Sequence, residues 1–154
     1  MSFIAADGTR GAQQPGGRFL SWLNKFMMSR IRRTGKAPFM GFDALVLTTI
    51  GRKSNLERST PLGWFPGKDG TWLIVASAAG ARKNPAWYHN LAAHPDQVRI
   101  ETAGRKVAVV AEQLQGAERE EAWRQIAAAS PQFAKYQQKT DREIPVIRLR
   151  PRSV

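Results

Sequence analysis

The stretch Ala44-Leu-Val-Leu-Thr-Thr-Ile50, followed by Gly51-Arg-Lys-Ser-Asn55 and Arg58-Ser-Thr-Pro-Leu-Gly-Trp-Phe65, decides the fold. Its first part is apolar and β-branched, which favours a buried strand. Its middle is a polar, glycine-led turn, and its last part reads as a returning strand. Pro61 has no N–H to give to a central ladder, so this strand belongs at an edge or a bulge. Pro66-Gly-Lys-Asp-Gly70 makes a second tight turn into a buried strand over 71–77, and the three strands read as a meander.

Downstream, Asn84 is a natural N-cap, Pro85 suits the first helical position, and His94-Pro95 ends the helix. Strands over 97–102 and 105–113 flank the Ala103-Gly104 turn. Residues 117–129 set Trp123, Ile126 and Ala127 inward, with Glu120 and Arg124 outward. Ser130-Pro131 opens a shorter helix to Gln138, and 145–150 is the last strand. Upstream, residues 1–17 read as a flexible arm, rich in Gly, Ala and Gln. Residues 18–36 read as a basic amphipathic helix. Phe19, Leu20, Leu23, Phe26, Met27 and Ile31 face one way; Arg18, Lys25, Arg32 and Lys36 face the other. Residues 40–154 then form one α+β domain of about six strands. Strands and helices do not alternate regularly, so a largely antiparallel barrel with packed helices fits better than a doubly wound sheet.

Composition narrows the function. The 154 residues contain no cysteine, which excludes disulfides, thiolate metal sites and a thiol nucleophile, and suits a reducing cytoplasm. No apolar run approaches the ~20 residues of a spanning helix, and no signal peptide opens the chain. Lys+Arg 24 against Asp+Glu 12 gives +12, so the partner is anionic in character. The excess is front-loaded: residues 1–58 hold ten cations and three anions. Nucleic acid is disfavoured, because the aromatics sit within apolar patterns and are not interleaved with basic residues. A membrane face suits residues 18–36, whose opposed faces fit shallow insertion into an anionic cytoplasmic leaflet at the inner plasma membrane. Docking of the same apolar face on the barrel is the competing reading.

Catalytic motifs are scarce. His89 and His94 lack the spacing of a helical metal pair, so no metal is expected. There is no nucleophile elbow, phosphate-binding Walker loop or dinucleotide fingerprint. An enzyme built from these residues must borrow its chemistry from a cofactor. Two segments could hold one. The turn Gly51-Arg52-Lys53-Ser54, with Arg58, offers cations, a hydroxyl and N–H groups to a phosphate. Ser77-Ala78-Ala79-Gly80, then Lys83-Asn84-Pro85-Ala86-Trp87-Tyr88, offers small residues and a helix start.

In order and spacing these strings resemble the deazaflavin-dependent nitroreductase family, whose cofactor is F420. The matching strings are Leu47-Thr48-Thr49-Ile50-Gly51-Arg52-Lys53-Ser54, Arg58 and Pro61-Leu62. They continue through Ser77, Lys83-Asn84-Pro85-Ala86-Trp87-Tyr88, Asn90-Leu91 and His94-Pro95. Tyr136-Gln137, Thr140-Asp141-Arg142 and Ile144-Pro145-Val146 complete the match, which covers about residues 40–151. The resemblance implies a split β-barrel and hydride transfer from reduced F420 to a quinone-like, enone or nitroaromatic acceptor. It places Arg52, Lys53, Ser54 and Arg58 at the cofactor's phosphate and acidic tail. Pro61, Leu62, Val75, Ala76, Ser77 and Ala78 would line the deazaflavin pocket, and Ala86, Trp87, Tyr88 and Asn90 would contact the ring system and its side chain. Of the tyrosines around the family's acceptor, Tyr136 is kept as the candidate catalytic hydroxyl. The others fall on Gly63, Ser130 and Phe133, which favours quinone or enone reduction over nitroimidazole activation. A basic, non-catalytic module binding membrane or nucleic acid, and a split barrel using FMN, are the alternatives.

Overall fold

The computed structural model describes residues 3, 7–11, 18–38 and 41–152, with 18–22 as backbone alone. The expected roles of the side chains of Arg18, Phe19 and Leu20, and of residues 12–17, lie outside the described residues. The described elements are α1 (Arg18–Thr34), β1 (Ala44–Ile50), β2 (Glu57–Gly63), β3 (Phe65–Pro66), β4 (Trp72–Val75) and α2 (Ala86–Ala93). They continue with β5 (Val98–Thr102), β6 (Arg105–Gln113), α3 (Gly116–Ala129), α4 (Pro131–Lys139) and β7 (Val146–Pro151).

All these strands form one antiparallel sheet in the order β2-β1-β5-β6-β7-β4-β3. Its two edges, β2 and β3, are separated in the chain only by Trp64. Two Cα–Cα steps span at most about 7.6 Å, whereas seven flat strands would span about 29 Å. The sheet therefore curls until its edges meet at Trp64, whose N–H donates to Asp43 O at 3.2 Å. Beyond that corner the seam stays open. The β3–β4 register sets Phe65 opposite Leu73. Carried along both chains, it would bring Ala78 opposite Thr60. Among the described residues no ladder joins β2 to β4. The result is an α+β half-barrel with an open seam.

The expected meander is corrected by this topology. Trp64 splits the single strand read over 58–65 into two opposite edges, and the strand after the second turn pairs with β3 and β7. Pro61 does lie on an edge strand, opposite Val46.

Both faces of the central strands are covered, which explains their continuous apolar runs. Leu45 and Leu47 of β1 point into the barrel with Ile74, Ile100, Ile147 and Leu149, while Ala44 and Val46 face Ile31 of α1. Leu73, Val75 and Val146 lie beneath Ile126 and Phe133 of α3 and α4. On α3 the buried residues are Arg119, Ala122 and Ile126; of the expected inward set Ile126 is buried, Trp123 packs half-buried against the core and Ala127 is half-buried. Arg119 is buried because it donates to Ile144 O at 2.7 Å and lies 4.7 Å over the Trp123 ring, leaving that indole half-buried.

The α1 helix docks through Ile31, packed with Ala37, Ala44 and Val46 and flanked by Met27 and Met28. Burying one isoleucine side chain contributes about 1.5–3 kcal/mol. The exposed Lys36–Asp43 pair at 2.5 Å contributes under about 1 kcal/mol, so packing sets the helix position. Leu23 is half-buried and Phe26 is 42% exposed, so the apolar stripe docks mainly through its C-terminal part.

Residues 7–11 are tied to the body. Gly8 N–H donates to Arg82 O at 2.7 Å, and the Thr9 and Arg10 N–H groups donate to Asp141 Oδ1 at 2.8 and 3.1 Å. The Thr9 hydroxyl, then its N–H, hold the Asp141 carboxyl down at about 2. A carboxylate lowered on folding stabilises above its unfolded range near about 4 and loses that contribution as pH falls through its folded value. The Thr9 and Arg10 amide NMR shifts are therefore expected to titrate together with a midpoint near 2. D141N should abolish that step; a midpoint at the ordinary aspartate value would contradict the tether.

Candidate functional site

Where the seam opens, a cleft of about 610 Å³ lies between the β1–β2 turn, the start of β2, the loop after β4 and the start of α2. That volume suits a small-molecule site. Its floor is a tight turn in which Gly51 N–H donates to Leu56 O at 2.8 Å and Asn55 N–H to Gly51 O at 2.9 Å. A Cβ on Gly51 would stand 2.5 Å from Ser54 Oγ, so a larger residue there would displace that hydroxyl. Helix α2 holds the turn from behind. Buried Asn90 accepts from Arg52 N–H at 3.1 Å and donates to Thr49 Oγ1 at 3.2 Å.

Arg52, Lys53 and Arg58 line the cleft and are exposed. Among the described residues none of the three pairs with a carboxylate, whereas Arg99 pairs with Glu57, Arg119 with Glu120, and Arg148 and Arg150 with Glu112. His89 stands nearby, its pKa pulled down by burial and by the Arg52 charge, with Asp7 opposing. It is neutral at pH 7 and adds no cation. Ser54 faces the same space, but its hydroxyl accepts from Leu56 N–H at 3.2 Å.

The opposite wall is Ala78, Pro85, Ala86 and Trp87, small or apolar groups against which a planar ligand can lie. Pro85 is the N-cap of α2, one place later than the sequence suggests. Asn84 does not cap the helix; its amide joins Arg142 and Asp7.

The remaining site candidates lie elsewhere. Val75 and Ala76 are buried in the sheet, Ser77 sits behind Ala78, and Pro61 and Leu62 are half-buried on β2. Tyr88 is turned into the barrel, where its hydroxyl donates to Gln113 Oε1 at 2.7 Å and burial pushes its pKa to about 12. Tyr136 and Phe133 stand edge to face at 5.8 Å on α4, which packs on the far side of the 78–80 turn. The Tyr136 hydroxyl accepts from Gln132 Nε2 at 2.5 Å. Ser130 is the residue between α3 and α4, and Gly63 ends β2, where the Phe42 ring covers it. The structure thus gathers Arg52, Lys53, Ser54, Arg58, Ala78, Ala86, Trp87 and Asn90 into one cleft. The sequence reading gave no site role to Thr49, Ser59 and Thr60, which also line the cleft. The signal for Thr60 was its register across from Ala78, which appears only once the edge strands are identified.

The sequence model of the F420H(2)-dependent quinone reductase family matches residues 23–151. The chain belongs to that family. It is 36% identical over 107 residues to an F420H(2)-dependent quinone reductase of Mycobacterium tuberculosis, covering 68% of this chain and 70% of that one. Among solved structures, an F420-H2 dependent reductase, FDR-A, is 37% identical with a TM-score of 0.62, over 70% of this chain and 93% of that one. A structure described as a domain-swapped dimer is 33% identical with a TM-score of 0.63, over 86% of this chain and 100% of that one. Membership makes the protein a reductase with reduced F420 as cofactor. The cleft's chemistry fits such a group: cations without carboxylate partners at one end, small and aromatic residues at the other. Among the described residues no cluster of His, Asp or Glu could hold a metal, and no helix is long and apolar enough to cross a membrane.

The cleft wall depends on the 78–80 turn. Gly80 has φ +79, and a Cβ there would meet Tyr136 O at 2.8 Å and Lys139 Cβ at 3.0 Å. Gly104 has the same φ with nothing within 4 Å. G80A should cost about 1–3 kcal/mol more than G104A in denaturant unfolding, because overpacking adds to backbone strain. Equal costs would refute close packing of α4 on the turn.

Proposed function

We propose that the seam cleft holds reduced F420, with its phosphate and acidic tail against Arg52, Lys53, Ser54 and Arg58 and its ring toward Ala78, Ala86 and Trp87. The acceptor is a quinone-like small molecule. The supporting observation is the cation cluster: Arg52 and Lys53 on a pinned turn and Arg58 on the strand after it are exposed, line one end of the cleft and have no carboxylate partner among the described residues. Bound reduced F420 supplies the hydride. Arg52 and Arg58 give forked donors and Lys53 a point charge to the anionic tail. Asn90 fixes the backbone that carries them. Ala78, Ala86 and Trp87 shape a dry face that orients the ring and excludes water. Tyr136 does not line this cleft and is given no acceptor-side role.

K53A and R58A should each weaken F420 binding by about 1–3 kcal/mol in an absorbance titration, the size of a lost charge-assisted hydrogen bond. Y136F should leave cofactor affinity within about twofold, because Tyr136 does not line the cleft. FMN should not compete at micromolar concentration. Affinities for F420 equal to wild type in both cation variants would overturn the cradle, and tight FMN binding would favour the flavin alternative.

We also propose that the forward part of α1 rests on an anionic cytoplasmic membrane face. Phe26 is 42% exposed, and Lys25, Arg30 and Arg33 are exposed around it. Ile31 and Met27 remain committed to the barrel, so Phe26 and the exposed cations around it are what this face offers to lipid. Sedimentation with anionic vesicles should fall on raising salt and in F26S. Binding unchanged by both, or equal on neutral vesicles, would exclude this surface.

A further inference from the structure

Arg142 is 2% exposed, and all five of its donors are used. Nε donates to Ala81 O at 3.2 Å; Nη1 donates to Ala76 O at 2.9 Å and Asn84 Oδ1 at 2.7 Å. Nη2 donates to Ser77 O at 2.8 Å and Ala81 O at 3.1 Å. Every acceptor is neutral. The Asp7 carboxylate stands one remove away, accepting from Asn84 N–H at 3.1 Å. A charge buried on neutral acceptors is costly, which points to a use beyond packing.

The loop this cation grips lies between it and the cleft: Ala78 lines the cleft, and Arg142 does not. No peptide here is cis, and in a trans peptide the C=O and the next N–H point opposite ways. Ala76 and Ser77 turn their carbonyls to Arg142, so the N–H groups of Ser77 and Ala78 point away from it. Among the described residues neither N–H has a partner, while those of Gly80 and Ala81 close the turn onto Ser77 O and Ala78 O. Ser77 is right-handed (φ −77°, ψ −35°) and Ala78 left-handed (φ 45°). That succession makes neighbouring N–H groups converge into a concavity that favours negative charge. The same carbonyls would otherwise be available to β2, across a seam where Pro61 already offers no donor.

We propose that Arg142 is a positioning residue for hydride transfer. It holds the seam open, aims the Ser77 and Ala78 N–H groups at the ring end of the cleft, and sets behind them a positive charge that Asp7 offsets only from one remove. This rests on the cleft being the F420 site. At fixed protonation of its other atoms, a ring holding the hydride carries one negative charge more than a ring that has given it up. Arg142 therefore makes the protein bind the reduced cofactor more tightly than the oxidised one.

The test is anaerobic titration of F420 and F420H2 into the wild type, R142K, R142Q, D7N and K53A, read as the ratio of the two dissociation constants. R142Q should lower the preference for the reduced form roughly tenfold, the scale of one charge acting across a loop at an effective dielectric near 20. R142K keeps the charge with fewer donors, so both affinities fall but the ratio stays within about twofold. D7N removes the nearest opposing charge and should raise the ratio severalfold; it decides the matter if R142Q does not fold. K53A should weaken both forms alike. A ratio unmoved in R142Q and D7N, with K53A weakened, overturns the role of Arg142 and leaves the cleft assignment standing. Unaltered binding in K53A, or no binding by the wild type, overturns the cleft assignment and this inference with it.

Discussion

One residue, Trp64, joins the two edges of a seven-stranded sheet, and that link governs the rest of the molecule. A right-handed twist alone would leave the sheet open; the link forces β2 and β3 to a common corner. Past the corner the edges could zip into a closed barrel. Pro61 on one side lacks a donor, and on the other side Arg142 takes the carbonyls of Ala76 and Ser77. The cleft is the seam that those two features leave unpaired. Its position follows from strand register: Thr60 and Ala78, which a closed ladder would set face to face, both line it.

Charge is then distributed by strand geometry. On the outer sheet face arginine pairs with glutamate of another strand: Arg148 with its register neighbour Glu112 at 2.7 Å, and Arg99 with Glu57, two strands over, at 2.6 Å. Such exposed pairs add little stability each, but they neutralise the sheet. The turn at the mouth of the seam receives cations and no acids. A net charge of +12 is thus less informative than where it goes uncompensated. The small, apolar opposite wall gives the cleft two chemically distinct ends, as a cofactor with a polyanionic tail and a flat ring requires.

Much of this was legible in the sequence, for identifiable reasons. The buried run of β1, the Ala103-Gly104 hairpin and the proline edge are local signals, and the structure carries each of them. The basic turn and the start of α2 were legible as candidate segments from their residue types, and the structure brings them together on one cleft. The meander failed because no local signal says that a chain passing through Trp64 changes from one edge of a sheet to the other. The inner face of α3 was legible only in part: Ile126 and Trp123 pack on the core as periodicity assigns them, whereas the burial of Arg119 depends on a carbonyl partner and an aromatic face. The environment of Arg142 was not legible at all: its acceptors are backbone carbonyls some 60 residues away, invisible to residue-type patterns.

The central claim is that the open seam, and not another hollow of this surface, receives F420. The most direct measurement is amide NMR shift mapping during titration of the full chain with F420. The account predicts that the largest shifts fall on Gly51–Ser54, Ala78 and Ala86–Trp87. Shifts concentrated instead at the second hollow of about 500 Å³, beside Gly8, Gly116 and Asp141, would contradict it.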